Sequence, residues 1–480
     1  MKAVLFSIAV GLTVFITFIF FRLFGFRSNN VFITSQEKKS WDENLSGLLK
    51  RLLTTTNIFG TVTSLATLFF LAGSTKLFGV FALSTGLTFA FSSIITNHIT
   101  KKILKDKQIK KRYDDDEQVG GVIASLFWNN TKQGKNLAAA VKYVSMFATF
   151  AIIWLEVSLF SNFSSSYLGI DSISGKTLIA TATFFIIFYF VIQYGLRGFV
   201  FADLFHAPII IIMGFILIII LGVMLFNGNY HINTQTFFNP ILPWGMCLVF
   251  GFHVLILNLY QIICTEPHWF RLWLFKNVEI TSQTKGVVGT GIVWIFFLVI
   301  GFSTFIITGL TGEPAIAGLL DKLSVLNPYF LFFFWVAATG ALFSTVDAQL
   351  YSILLISSYK TSDGTLPITS KRFRNPLVVT FTFTIAFGIL YYLRWYFNLE
   401  FEKVLFLVVP FSTVLLPLFI QKITGRYPQM STLIISVIGY SLVGIIGFFL
   451  GNLNFYLTLG AIFFPFLMSI VVLLTKKTVS

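Results

Sequence analysis

Apolar runs of about twenty residues recur along the whole chain, the length a helix needs to cross roughly 30 Å of hydrocarbon. They fall near residues 3–25, 55–76, 78–100, 136–160, 177–195, 203–226, 243–264, 286–310, 328–357, 376–394, 403–421, 431–450 and 455–475. Backbone groups find no outside partner in lipid, so runs of this length must close their hydrogen bonds internally, as helices. The expectation is an all-α polytopic membrane protein of about thirteen transmembrane helices, with residues 1–480 forming a single transmembrane domain. Composition agrees: 11% of residues are charged and 56% hydrophobic, whereas a soluble chain carries about 25% charged residues. The 59 phenylalanines suit helix faces turned towards acyl chains. The first run, Ala3 to Phe21, outlasts a signal-peptide core and has no small-x-small cleavage site, so it reads as a retained helix.

The net charge of +15 sits in basic clusters between the apolar runs. Only Lys2 precedes the first run while Arg22 and Arg27 follow it, which places the N-terminus outside and the C-terminus in the cytoplasm of a multi-pass cell inner membrane protein. On that count the basic residues gather in alternate loops. Examples are Lys38 to Arg51, Lys101 to Lys135, Arg271 to Lys285, Lys360 to Arg374, Lys422 with Arg426, and Lys476 with Lys477. The other side keeps Lys2, Lys76, Lys176, Lys322, Arg394 and Lys403. No basic–aromatic module matches a nucleic-acid fold, so nucleic acid is not a partner. The loop at 101–135 adds Asp114, Asp115, Asp116 and Glu117, then a short apolar patch from Val119 to Trp128 that reads as an interfacial helix. Walker, HExxH and GxSxG motifs and paired metal ligands are missing, so neither ATP-driven transport, an enzyme nor a cofactor is expected. Cys247 and Cys264 stand about 25 Å apart if one helix joins them, beyond disulfide reach.

Polar residues at membrane depth are the informative ones. The densest group is in the ninth run, Ala337-Ala338-Thr339-Gly340-Ala341-Leu342-Phe343-Ser344-Thr345-Val346-Asp347-Ala348-Gln349. Its small residues permit close helix approach, and Ser344 and Thr345 set two hydroxyls beside the ionisable Asp347. Hydroxyls of this kind also bond back to their own helix carbonyls. Glu156 in the fourth run and His253, Asn258, Tyr260 and Gln261 in the seventh are further intramembrane polar groups.

The stretch 341–350 with Ser357-Ser358-Tyr359-Lys360 resembles the ninth-span signature of the sodium:solute symporter family, which includes the sodium–proline and sodium–galactose symporters. Residues 193–206 resemble the family's segment between the fifth and sixth spans, although Arg197 and Gly198 interrupt its glycine pair, Ala202 replaces Thr and His206 replaces Gln. Leu71-Ala72-Gly73-Ser74, preceded by Gly60-Thr61-Val62-Thr63-Ser64, is similar to the second span. The resemblance implies a LeuT-type core of two inverted five-helix repeats, near 55–226 and 243–421, with one helix before and two after. Such folds break the first helix of each repeat at mid-membrane. The resemblance also implies a sodium ion held by the carbonyls of Gly60, Thr63 and Ala341 and the hydroxyls of Ser344 and Thr345. All are neutral oxygens, which suit a hard monovalent cation.

By the same resemblance Asp203 stands near the ion's exit, with Asp347 and Glu156 as further ion-exit or coupling candidates. Capping the sixth helix and pairing with Arg197 is the alternative role for Asp203. His253, Asn258, Tyr260 and Gln261 are the solute-contact candidates. The implied function is a sodium-coupled symporter that imports a small organic solute by alternating access. Rivals are a transport-deficient membrane sensor and a polysaccharide or lipid-linked-sugar enzyme; the latter needs a large external loop, and the longest here are about 227–242 and 311–327. Solute identity and oligomeric state are not written in the sequence. The topology predicts that cysteine at Ser362 labels only from the cytoplasm and cysteine at Asn229 only from outside; impermeant maleimide on intact and inverted vesicles reads both, and reversed labelling overturns the orientation.

Overall fold

The computed structural model describes residues 2–24, 47, 78–105, 122–227, 240, 242–274, 298–309, 312–366, 376–396, 406–449 and 454–475. The helices run in chain order as α1 (Lys2–Phe24), α2 (Leu83–Leu104), α3 (Ile123–Phe127), α4 (Lys132–Leu168) and α5 (Ile173–Asn227). Then come α6 (Trp244–Tyr260), α7 (Glu266–Leu274), α8 (Leu298–Thr308), α9 (Gly312–Leu326) and α10 (Tyr329–Ser358). The last are α11 (Pro376–Tyr396), α12 (Leu416–Ile423), α13 (Met430–Phe449), α14 (Asn454–Gly460) and α15 (Phe463–Leu474). Among the described residues nine helical segments are long and apolar enough to cross a membrane. They fall on the first, fourth to sixth and ninth to thirteenth apolar runs, while α2, α6 and α8 carry shorter parts of the third, seventh and eighth. The second run lies outside the described residues.

α10 is the axis of the bundle. In its membrane-crossing window 72% of residues are buried, against 28% in Val200–Asn227, whose side chains form outer wall. α4 and α5 pack along it, and α1 lies across both α5 and α10. α2 pairs with α6, and α13 to α15 form an adjoining group. Phenylalanine serves inside as well as on the lipid face: Phe6, Phe160, Phe163 and Phe334 surround Trp335, and Phe21, Phe184 and Phe188 are fully buried. Aromatic faces packed this way add roughly 0.5–1.5 kcal/mol per pair beyond burial.

The helix breaks follow from backbone chemistry. α5 carries Gly195 at φ 62 and ψ −160, a conformation open essentially to glycine alone, which divides it into spans Ile173–Gly195 and Val200–Asn227. α6 stops at Tyr260, and α7 restarts at Glu266 with Pro267 in its first turn, where a missing amide costs nothing. A 3-10 turn, Ile262–Cys264, and extended Thr265 bridge to α7. The indole of Trp269 donates to the Ile263 carbonyl at 2.8 Å, replacing a helical partner that the break removes. The eleventh span, Phe406–Ile423, likewise contains a 3-10 segment, Val409–Leu415, around Pro410. The Gln261 amide donates to the Val409 carbonyl at 3.3 Å and ties the two irregular stretches together.

Polar contacts at the rims join segments that the charge pattern assigns to one side. The Lys142 ammonium donates to the carbonyls of Ser357 at 2.9 Å and Tyr359 at 2.7 Å, and the Trp128 indole to that of Thr361 at 2.8 Å. Arg426 reaches Thr475 at 2.7 Å. On the opposite rim Lys2 pairs with Asp321, and the Lys176 ammonium lies 4.6 Å from the Trp395 ring centroid.

Three expectations change. The loop expected at 311–327 is largely helix α9. The patch expected at an interface is α3, whose residues are all buried; Phe127 meets Phe419, and the Ile123 amide donates to Glu266 at 3.0 Å. Arg271, counted among loop cations, is buried on α7 with 5% exposure, because the chain beyond Pro267 turns back into the protein.

Gly195→Ala places a Cβ in backbone space that costs about 1–3 kcal/mol. The expected outcome is a lower midpoint of thermal unfolding in detergent; an unchanged midpoint would show that this break does not depend on glycine.

Candidate functional site

The ninth run's polar cluster lies inside the bundle. Ser344, Thr345 and Asp347 on α10 are 0%, 1% and 0% exposed, and Ala341 is 6%. The Ser344 hydroxyl donates to Asp203 Oδ1, across 141 positions of sequence. Asp203 stands on the span that restarts at Val200, so the Gly195 break is what turns its side chain towards α10. Its carboxylate is therefore engaged between helices and does not act as a helix cap, the alternative role considered from sequence. The Arg197 side chain lies outside the described residues.

One turn further on, His206 Nδ1 is 3.9 Å from Asp203 Oδ1, and its Nε2 shares a hydrogen bond of 2.8 Å with Thr17 Oγ1. Two hydrogen bonds thus tie α5 to its neighbours, His206 to Thr17 of α1 and Asp203 to Ser344 of α10. The Gly340 face of α10 packs against His206: a Cβ there would sit 3.5 Å from the ring, in ordinary van der Waals contact.

Arg271 supplies the positive charge. From α7 it interacts electrostatically with both Asp203 and Asp347, which also act on each other. Both Asp347 carboxylate oxygens, Asp203 Oδ2 and Thr339 Oγ1 are buried without a hydrogen-bond partner. Buried polar atoms are almost always satisfied, so the orphaned oxygens of Asp203 and Asp347 need an explanation. A guanidinium offsets part of the cost of burying two carboxylates, which without compensation runs to several kcal/mol per ion. Carboxylate, hydroxyl and carbonyl oxygens are the donor set of hard cations.

The other sequence candidates are dispersed. Gly60 and Thr63 lie outside the described residues. Glu156 is buried on α4, which packs along α10. His253 and Tyr260, seven residues apart on one face of α6, both turn towards the last helices: His253 Nδ1 meets the Leu459 carbonyl at 2.7 Å, and the Tyr260 ring lies 6.3 Å from Phe466. The Asn258 amide donates to the Thr85 carbonyl and to Thr88 Oγ1, each at 2.7 Å, and locks α6 to α2. Gln261 alone stands at the break. These four residues do not share one wall.

Sequence reasoning missed Arg271 and Thr17. Pro267 was the available signal for Arg271, since a proline just past an apolar run marks a break as readily as an end. Thr17 sits in an unbroken apolar helix and carries no signal of its own.

Asn258→Leu removes one buried and one half-buried hydrogen bond, and a loss of about 1–3 kcal/mol of stability is expected. Detergent thermostability measures it; an unchanged midpoint together with impaired solute binding would assign Asn258 to a solute contact.

No family model matches the chain, and no curated protein matches it. Solved structures do. A Na+-coupled sialic acid symporter, in a substrate-bound outward-open state described as revealing a novel Na+-site, aligns over 100% of this chain and 99% of its own, with TM-score 0.62 and 12% identity. The manganese transporter of Eremococcus coleocola, in complex with an aromatic bis-isothiourea substituted compound, covers 94% of this chain and 98% of its own, with TM-score 0.50 and 12% identity. The inward-facing conformation of Mhp1 covers 88% and 90%, with TM-score 0.49 and 15% identity. The first two are transporters, and at these identities the likeness is one of fold. This chain is an all-α polytopic membrane protein of the LeuT-type transporter fold.

Proposed function

We propose that the protein is a sodium-coupled symporter that carries a small organic solute into the cell by alternating access, with its N-terminus outside and its C-terminus in the cytoplasm. The observation that carries this reading is the buried oxygen cluster of α10 and α5: Ser344 against Asp203, with Asp347 beside them and three carboxylate oxygens unpartnered. The full-length likeness to a Na+-coupled symporter supports it. In this reading the two inverted repeats span about 55–226 and 243–421, and the interruption between α6 and α7 is the break expected in the second of them. The sodium shell comprises the Ala341 carbonyl and the Ser344 and Thr345 hydroxyls, with the carbonyls of Gly60 and Thr63 on the second span. Asp203 and Asp347 supply negative charge next to it, and Glu156 is a further coupling candidate. Each charge that crosses contributes roughly 2.3 kcal/mol per 100 mV of membrane potential.

Thr345→Ala removes one proposed ligand oxygen. The expected cost is about 1–3 kcal/mol, a fall in sodium affinity of about five- to a hundredfold. Solute affinity at fixed sodium should fall with it, because coupling between two ligands is reciprocal. Ser344→Ala should do the same and also lower stability, since it strips Asp203 Oδ1 of its donor. Val346→Ala carries no oxygen away and should leave sodium affinity unchanged. Sodium-dependent uptake into proteoliposomes over a panel of amino acids, sugars, carboxylates and vitamins reads all of these. Normal sodium affinity in both hydroxyl variants would remove the proposed ion site.

A further inference from the structure

We propose that Lys176, Arg394, Trp395 and Ser158 form a binding site for a phosphate group at the rim where α5 begins and α11 ends. It uses none of the residues of the ion cluster, and it stands whether or not the protein is coupled to sodium.

The buried face of α11 runs through Thr380, Thr384, Phe387, Tyr391 and Arg394, at helical spacings of four and three residues. Arg394 therefore fills the last position of a packing stripe, with 5% exposure. A rim arginine ordinarily buries its stem and sends its head to water. This one turns its head onto α4. The Asn162 side chain accepts from Arg394 Nη1 at 3.2 Å while donating to the Tyr391 hydroxyl at 2.6 Å, and Arg394 Cζ lies 5.7 Å from the Trp154 ring centroid. Trp154, Ser158 and Asn162 are successive turns of one stripe of α4, so Ser158 stands between these two contacts. Its side chain is fully buried, and its hydroxyl has no hydrogen-bond partner.

Two cations share the next ring. Lys176 Nζ is 4.6 Å and Arg394 Cζ 5.3 Å from the Trp395 centroid, and the Trp395 indole Nε1 is buried without a hydrogen-bond partner. Among the described residues Lys176 makes no ion pair. Asp171, in the turn before α5, is exposed, and Glu156 belongs to the opposite side of α4 from the Trp154–Asn162 stripe. Guanidinium, ammonium, indole N–H and serine hydroxyl can all donate, so the ligand that fits them is negative and rich in acceptors. The planar fork of a guanidinium matches an oxyanion. Beside the cluster the outward faces of α5 and α11 are apolar and open, with Leu178 70%, Tyr392 47% and Tyr396 71% exposed. Acyl chains cover such a surface, and basic pockets between transmembrane helices hold lipid head groups. A phospholipid head group and free phosphate bring the same chemistry.

The test follows the midpoint of thermal unfolding of purified protein in detergent. One arm adds phosphatidylglycerol or phosphatidylcholine to the micelles; the other adds potassium phosphate or potassium chloride at matched ionic strength. Phosphatidylglycerol should raise the wild-type midpoint more than phosphatidylcholine does, or phosphate more than chloride. The first response identifies a lipid and the second the free ion; either supports the site. Lys176→Gln should need at least about tenfold more of the active additive for the same shift, the scale of one lost charge-assisted hydrogen bond. Lys176→Arg should respond as wild type. Trp395→Phe, which keeps a ring and removes the N–H, should also weaken the response. Lys2→Gln, a cation lost from the same rim but paired with Asp321, should leave it unchanged. No preference for either additive in wild type overturns the inference. So does a wild-type response in both Lys176→Gln and Trp395→Phe, or an equal loss in Lys2→Gln.

Discussion

A backbone amide or carbonyl in hydrocarbon has no solvent to fall back on, and the internal architecture follows from that constraint. Continuous helices meet it automatically. Wherever the chain departs from a helix, a side chain must take over, and the partners are specific: Trp269 for the Ile263 carbonyl and Gln261 for the Val409 carbonyl. These repairs fix where the chain is able to bend. The bends at Gly195 and before Pro267 in turn bring Asp203 and Arg271 towards the face of α10, which continuous helices would not do.

Charge is then held inside at considerable expense, and the arrangement limits that expense. Asp203 receives a hydroxyl from Ser344, and His206, one turn on, is hydrogen-bonded to Thr17. Arg271 acts on both carboxylates. The residues involved come from the first, sixth and ninth runs and from the segment beyond the seventh. A change in how the cluster is satisfied is therefore felt by several helices at once. That is the physical requirement for linking an ion to a rearrangement of the bundle.

Much of the wall was readable from the sequence because hydropathy at twenty-residue scale is a direct physical signal. Segments Ile173–Gly195, Val200–Asn227 and Tyr329–Ser358 fall within a few residues of their runs. The α10 cluster was readable too, since a carboxylate three positions from a serine in an apolar helix is costly unless something compensates it. What escaped was anything decided by where a broken chain goes next. Arg271 looks like a loop cation because it follows an apolar run, and only the fold shows the chain turning back inward. The seventh-run residues failed differently: polarity marks a need for a partner without naming it, and Asn258 and His253 find theirs on α2 and α14.

α1 and α5 meet at a tighter point than the Thr17–His206 contact. At Gly198 a Cβ would lie 2.3 Å from Phe21 Cδ1, inside any tolerable contact. The α1 ring occupies the volume that a side chain on α5 would need, and Phe21 is itself fully buried with Phe190 and Tyr194 around it. These two positions form a single steric unit, and over evolutionary time neither is free to drift alone. A lineage that gains bulk at 198 must first shed the ring at 21. Joint variation of the pair would then mark how long the first helix has been seated on this bundle.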